Sequence, residues 1–201
     1  MEKNIELLRA EKISYSVPGL SRKVLEIRSL SVRKGTAVFV LGRNGAGKSS
    51  LLSFLGGYVS VPGACISWKG KELMPVSDRL IPGFQEMAMV KQNPDLSPFL
   101  RVEEELLKTV RHLPDSLQQK KLREMIRLCH LKELLPQKTG NLSGGEKRRV
   151  ALAQALMLGT ELILLDEPFS DLDSENRLLF YPILLRAMQE KKIGFIVVSH
   201  N

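Results

Sequence analysis

Residues 42 to 49 read Gly-Arg-Asn-Gly-Ala-Gly-Lys-Ser, and this glycine-rich octet most narrowly limits what the chain can fold into. An apolar run of strand length, Ala37 to Leu41, leads into it, and Lys48 to Gly56 follows with Leu51, Leu52 and Leu55 on the apolar side of a helix. In a strand, glycine turn and helix of this order, backbone N–H groups can converge on an anion. Glycine tolerates the turn, and the helix N-terminus near Lys48 adds partial positive charge. The octet fits G-x-x-x-x-G-K-[ST] in full. Gly42, Arg43, Asn44, Gly45, Ala46, Gly47, Lys48, Ser49 and the following Ser50 therefore form a candidate phosphate-binding loop. Lys48 would neutralise β- and γ-phosphates, and the Ser49 hydroxyl would ligate magnesium. The bland alternative is a tight loop at a helix start, and the Lys-Ser pair in register speaks against it.

The rest of the chain reads as an α/β core around that loop. From Ile5 onward, short β-rich runs broken by Val17-Pro18-Gly19 and Lys34-Gly35 predict antiparallel strands leading into a buried one, Ala37 to Leu41. A second β-rich stretch, Ala64 to Leu73, precedes a Pro-containing segment ending near Met89-Val90. Between Leu100 and Leu135, leucines and charges alternate at helical spacing, which predicts a helical insert. The core resumes with a helix from Gly145 to Leu158, a strand Leu162 to Leu165, a helix from about Glu175 to Glu190 and a strand Phe195 to Val198. A mainly parallel sheet follows from this alternation, with phosphate chemistry at the carboxyl ends of its strands.

Bulk properties narrow the function classes. At 201 residues and 43% hydrophobic composition the chain can bury one sizeable core. Its apolar runs are far shorter than the roughly 18 residues of a membrane span. The start, Met1-Glu2-Lys3-Asn4, lacks the pattern of a secretory signal, so a cytoplasmic address is expected. Cys65 and Cys129 have no paired spacing and no neighbouring His cluster, which argues against a disulfide framework or a zinc site; both are expected to be buried or half-buried thiols. A formal charge of +8 admits an acidic partner, but the Lys and Arg residues are scattered and aromatic residues make up 5% of the chain. Nucleic acid binding is therefore disfavoured.

Two further constellations point to nucleotide chemistry. Leu162 to Leu165 ends in Asp166-Glu167-Pro168. Burying that strand sets Asp166 at its carboxyl end near magnesium and Ser49, and lets Glu167 polarise an attacking water. Acids also end strands in ordinary loops, and the position of this pair after the phosphate loop raises the functional reading. Leu142-Ser143-Gly144-Gly145-Glu146 then precedes a basic helix, Lys147-Arg148-Arg149-Val150-Ala151-Leu152-Ala153. Ser143 offers a hydroxyl, Gly144 and Gly145 expose backbone N–H groups, and the helix aims its positive end at an anion. A Ser N-cap describes the same local structure.

That pentapeptide with its basic helix resembles the signature motif of the ABC ATPase family, and the resemblance extends over essentially the whole chain. It implies a single ABC ATPase domain over 1–201: a phosphate-loop NTPase core with a mainly parallel sheet, an N-terminal antiparallel β subdomain and an inserted α-helical subdomain. The core and β subdomain would occupy about 1–91 and 158–201, and the helical subdomain with the signature about 92–157. The resemblance further implies that Ser143, Gly144, Gly145 and Glu146 contact ATP held by the opposite subunit of a dimer. Gln92 resembles the glutamine that contacts magnesium and signals to the transport partner; Gln85 competes for that role, and Val102-Glu103-Glu104 follows Gln92 at the usual distance. Ser170-Asp171-Leu172-Asp173 resembles the loop that crosses the dimer interface, with Asp171 at that interface, although acids ahead of a helix also serve as N-terminal charges. His200 resembles the switch histidine at the γ-phosphate. Tyr15 either stacks on adenine or decorates an edge strand.

The sequence departs from the family pattern in three places: Glu146 stands where Gln is commoner, Ser50 where Thr often follows, and the chain stops one residue after His200. The first two keep polar function, and the third bears on stability and dimer lifetime. The implied function is that of an Mg-ATP-hydrolysing transporter subunit. Glu167, His200 and Lys48 would be catalytic, and Ser49, Gln92 and Asp166 would lie around magnesium. It would pair with a second copy or a related subunit and sit on the inner face of the membrane through separate membrane-spanning subunits. A soluble ABC ATPase of DNA repair or translation is the competing reading. Repair members carry long coiled coils or zinc modules, whereas 49 residues separate Gln92 from Leu142; translation factors usually carry two cassettes. A nucleotide-binding module without turnover is disfavoured by the joint presence of Lys48, Asp166, Glu167 and His200. Substrate and direction of transport are not written in this chain.

Overall fold

In the computed structural model, residues 5–16, 23–170 and 172–200 are described, with only the backbone at residues 16, 23, 24, 174 and 175. Two four-stranded sheets organise them. The first is antiparallel, in the order β2 (Lys23–Arg33), β1 (Glu6–Ser16), β4 (Cys65–Trp68) and β5 (Lys71–Glu72). The second is parallel, in the order β3 (Ala37–Leu41), β8 (Gly194–Ser199), β7 (Leu162–Asp166) and β6 (Met87–Val90). The helices are α1 (Lys48–Leu55), α2 (Val102–Thr109), α3 (Asp115–Leu128), α4 (Gly144–Leu158) and α5 (Ser174–Lys191). No described helix is long and apolar enough to cross a membrane.

Side-chain alternation along the central strands divides the core in two. Leu162 and Leu164 of β7, with Ile196 and Val198 of β8, face α1 and the antiparallel sheet, where Leu51, Leu52, Leu55, Leu8 and Ile13 complete one cluster. Ile163, Leu165, Phe195 and Val197 face the other way, against α2, α3, α4 and α5. A strand exposes alternate residues to opposite faces, so strands covered on both sides must be apolar throughout. That is the pattern of β7 from Leu162 to Leu165 and of β8 from Phe195 to Val198.

Two expectations are corrected. Strand β3 was expected to be buried, yet Phe39 is 50% and Leu41 65% exposed. The reason is position: β3 pairs with β8 alone and forms the edge of the parallel sheet among the described residues. An apolar run reports that a strand has a buried side, not how many neighbours it has. Cys65, expected to be at least half-buried, is exposed, whereas Cys129 is fully buried and burial pushes its thiol up to about 12.

Candidate active site

Each strand of the parallel sheet delivers a residue from its carboxyl end to one place. β3 runs into the glycine loop, β6 into the segment holding Gln92, β7 into Asp166 and Glu167, and β8 into His200. The end of β8 ties its neighbours together: Gly42 N donates to Ser199 O at 3.2 Å, and Glu167 N donates to Val198 O at 3.0 Å. A cavity of about 520 Å³ opens between them. It is lined by Asn44, Gly45, Gly47, Lys48, Ser49, Ser50, Gln92, Glu167, Ser170 and His200. Ser170 is singled out from sequence as part of an interface-loop motif, and the others as candidate nucleotide-site residues.

The loop adopts its shape because two glycines enter the left-handed region, Gly45 at φ 77° and Gly47 at φ 81°. Gly47 is also the N-cap of α1 and supplies no side-chain cap, so the first N–H groups of that helix face the cavity without a side-chain acceptor. Lys48 is buried at 7% exposure, and its ammonium donates to Gly42 O at 2.7 Å and Arg43 O at 3.2 Å. It also lies 3.3 Å from Glu167 Oε1. Ala46 N closes the turn onto Arg43 O at 3.2 Å.

Glu167 joins Lys48 on one side and His200 on the other. Its backbone is left-handed, at φ 47°, a conformation that costs a non-glycine residue about 1–3 kcal/mol and persists only where the surroundings fix it. His200 Nδ1 donates to its Oε2 at 2.8 Å, and His200 N reaches the same oxygen at 3.2 Å. Burial pushes the Glu167 carboxyl up, but hydrogen bonds from His200 and Lys48 outweigh it and hold the group below its ordinary range. Next to it, burial raises the Asp166 carboxyl, against a hydrogen bond donated by Ser49 Oγ at 3.2 Å and with the Glu167 charge adding to the rise.

The two glutamine candidates separate cleanly. Gln92 lines the cavity and donates from Nε2 to Ser170 Oγ at 3.4 Å, whereas Gln85 is exposed ahead of β6, at the opposite end of that strand. Tyr15 is half-buried on β1 opposite Leu25, packs against the core cluster beneath α1, and is not part of the cavity wall. Asp171 lies outside the described residues. Its neighbour Asp173 caps α5 by accepting from Asn176 N at 2.7 Å, so one acid of that run serves as a helix cap.

The signature segment lies outside the cavity of its own chain. Ser143 caps α4, its Oγ accepting from Glu146 N at 3.3 Å while Glu146 Oε2 accepts from Ser143 N at 2.8 Å. Glu146 thus completes a reciprocal capping box. The two glycines differ. A Cβ on Gly145 would come within 2.7 Å of the Asn176 side chain, whereas one on Gly144 would meet nothing within 4 Å. Gly145 is required by close packing on α5, and Gly144 leaves backbone accessible at the helix N-terminus.

The sequence places Ser170 in an interface-loop motif and Arg148 in a basic helix without giving either a role at this site; in the structure the two meet behind the cavity. Arg148 is 5% exposed on α4, and its guanidinium bonds Ser170 and the Gln92 carbonyl. The available signal was helical phase: Arg148 shares a face with Leu152 and Ala155, both buried, so a charge there needed internal partners.

Comparison with known proteins agrees with this geometry. Residues 25–170 match the family model described as ABC transporter. The chain is 32% identical over 194 residues to the aliphatic sulfonates import ATP-binding protein SsuB of Bacillus licheniformis, covering 96% of this chain and 73% of that protein. It is 33% identical over 201 residues to the taurine import ATP-binding protein TauB of Pseudomonas entomophila, covering 97% and 73%. Among solved structures, cbiO1 of Clostridium perfringens, part of the ABC transporter complex cbiONQ, superposes with a TM-score of 0.83 over 98% of this chain and 79% of that one. At 22% identity that likeness speaks for the fold alone. The chain belongs to the ABC transporter family, as one of its ATP-binding, ATP-hydrolysing subunits.

Proposed function

We propose that this subunit binds Mg-ATP in the Lys48 cavity, closes as a dimer around two nucleotides, and drives a substrate through separate membrane-spanning subunits on whose inner face it sits. The partner in the dimer is a second copy or a related ATP-binding chain. The observation that carries the reading is the convergence of Lys48, Glu167 and His200 from three strand ends on one cavity, with Asp166 hydrogen-bonded to Ser49 of its wall. Relatives are named as import proteins for taurine and for aliphatic sulfonates, which supports uptake as the direction. Their substrates differ, so none is carried over.

The site's residues fit magnesium. Ser49 and Asp166 are oxygen donors within 3.2 Å of each other, and burial disfavours the charged Asp166 carboxylate that a cation would stabilise. Gln92, at the cavity wall, is the third candidate ligand. When bound, the ion neutralises charge on the phosphate oxygens.

The chain's own residues do the rest. As the γ-phosphate enters, the Lys48 ammonium exchanges its loop carbonyls and Glu167 for phosphate oxygens, which frees the Glu167 carboxylate. That carboxylate accepts a proton from water as the water oxygen bonds to the γ-phosphorus and the bond to ADP breaks. His200 holds the carboxylate in place, and with Lys48 stabilises charge on the transferring group. Ser143, Gly144, Gly145 and Glu146 would close the opposite subunit's site from outside, with Asp171 at the same interface, and Tyr15 would stack on adenine. The units proposed are the core and β subdomain (about 1–91 and 158–201) and a helical subdomain (about 92–157). A groove of about 370 Å³ between them, walled by Tyr58, Met89, Lys91, Pro94, Leu96 and Leu158, is where a helix of the membrane subunit would dock.

Steady-state hydrolysis by the parent and by Glu167→Gln, with light scattering in Mg-ATP, tests the reading. The parent is expected to turn over, and Glu167→Gln to stop turning over and accumulate as an ATP-bound dimer. A parent that binds ATP without turnover or dimerisation would reduce the chain to a binding module.

A further inference from the structure

Arg148 is a buried cation on the signature helix that neither lines the cavity nor belongs to the pentapeptide, and among the described residues its hydrogen bonds reach two other parts of the chain. Nε donates to Gln92 O at 3.2 Å, Nη2 donates to Ser170 Oγ at 3.2 Å, and Nη1 donates to Ser170 O. The segments it joins are the one after β6 and the turn after β7 that carries Glu167. Ser170 is 9% exposed, and its hydroxyl is used to capacity: it accepts from Arg148 Nη2 and Gln92 Nε2, and donates to Glu167 O at 2.9 Å. Ser170 N reaches the same Glu167 carbonyl at 3.2 Å. The left-handed backbone of Glu167 and the side chain of Gln92 are therefore both held from α4 through one hydroxyl.

We propose that Arg148 is a positioning residue that couples the signature helix to the catalytic turn, so that movement of the helical region sets the aim of Glu167 and Gln92 together. The inference rests on the ATPase reading above. Its physical basis is the guanidinium fork: three nitrogens in one rigid plane address acceptors on two segments at once, which the single ammonium of a lysine cannot do. Buried, the charge holds this geometry firmly, because releasing any partner leaves a desolvated polar group. A displacement of about 1 Å at a catalytic group can cost roughly 10²-fold in rate, so a pin of this kind acts on turnover before it acts on nucleotide affinity.

The test uses the full chain with Arg148→Gln, Arg148→Lys, Ser170→Ala and the double variant Arg148→Gln/Ser170→Ala. Three quantities are compared: melting temperature, equilibrium affinity for a non-hydrolysable ATP analogue, and kcat with KM for ATP. Expected are a fall in kcat of about tenfold or more in each single variant, affinity within about twofold of the parent, no rescue by lysine, and a double variant no worse than the poorer single one. Ser170→Ala removes one hydroxyl and carries the test if loss of the buried arginine unfolds the chain. Parent-like kcat in variants that only melt earlier, recovery with lysine, or losses that multiply in the double variant would each overturn the proposal. A parent without turnover would instead sink the ATPase reading, and this inference with it.

Discussion

The Lys48 cavity and the Ser143 tip of α4 are both glycine-bearing helix N-termini, yet they are built to opposite ends. At the cavity, α1 begins on Gly47 without a side-chain cap, and Lys48, Glu167 and His200 occupy one another. At the tip, α4 is capped twice over by Ser143 and Glu146, and beyond Gly144 the space is open. The first terminus has no side-chain cap and is flanked by paired charges, the arrangement the proposed ATP site would use. The second spends its side chains on holding the helix end rigid and presents backbone outward. The difference teaches that a helix N-terminus is a catalytic centre only where other elements bring charge to it; alone it is a shaped surface for something else to meet.

The largest effect should come from the cavity. Lys48→Ala leaves Glu167 without its ammonium partner and the phosphates without neutralisation, so turnover should fall about 10³-fold, measured by phosphate release. Retained turnover would break the contrast by showing that the loop backbone suffices. The next effect separates the two glycines of the tip. Gly145→Ala drives a methyl into Asn176 and should destabilise the fold by about 1–3 kcal/mol in denaturant titrations. Gly144→Ala should leave stability unchanged and lower turnover about tenfold, because its cost falls only when another surface approaches. If the two variants behaved alike, the tip would be merely structural.

The smallest effect is a pH signature of the two carboxylates. The Glu167 carboxyl is held low by His200 and Lys48, although burial pushes it up, so its stabilising share is present above the usual carboxylate pKa of about 4.3 and is lost as pH falls through the folded value. Asp166 is shifted the other way, chiefly by burial, so its contribution is present in acid and lost as pH rises through its raised folded pKa. Without magnesium, Asp166→Asn should therefore melt slightly above the parent at pH 7, and the gap should close below about pH 4. A gap that widens in acid would reverse the assigned sign.

Much of this is legible in the sequence alone. The octet, the strand ending in Asp166-Glu167 and the Ser143 helix start are local patterns whose meaning is carried by neighbours along the chain, and each was read with its element. Gln92 needed the downstream spacing of Val102 to be preferred over Gln85, and the geometry agrees that it is the one at the cavity. What escaped was non-local. The edge position of β3 depends on which strands pair beside it, and the Arg148 cluster depends on segments 56 and 22 residues away in sequence meeting behind the site.

The sequence by itself determined the elements, their order and the chemical identity of the groups, because periodicity of 2 and 3.6 and glycine placement act over a few residues. Only the tertiary structure decided how those groups are aimed. Parallel pairing of β3, β8, β7 and β6 brings four carboxyl ends to one level. Packing then gives the buried charges Lys48, Glu167 and Arg148 partners from segments distant in sequence, as a desolvated ion requires.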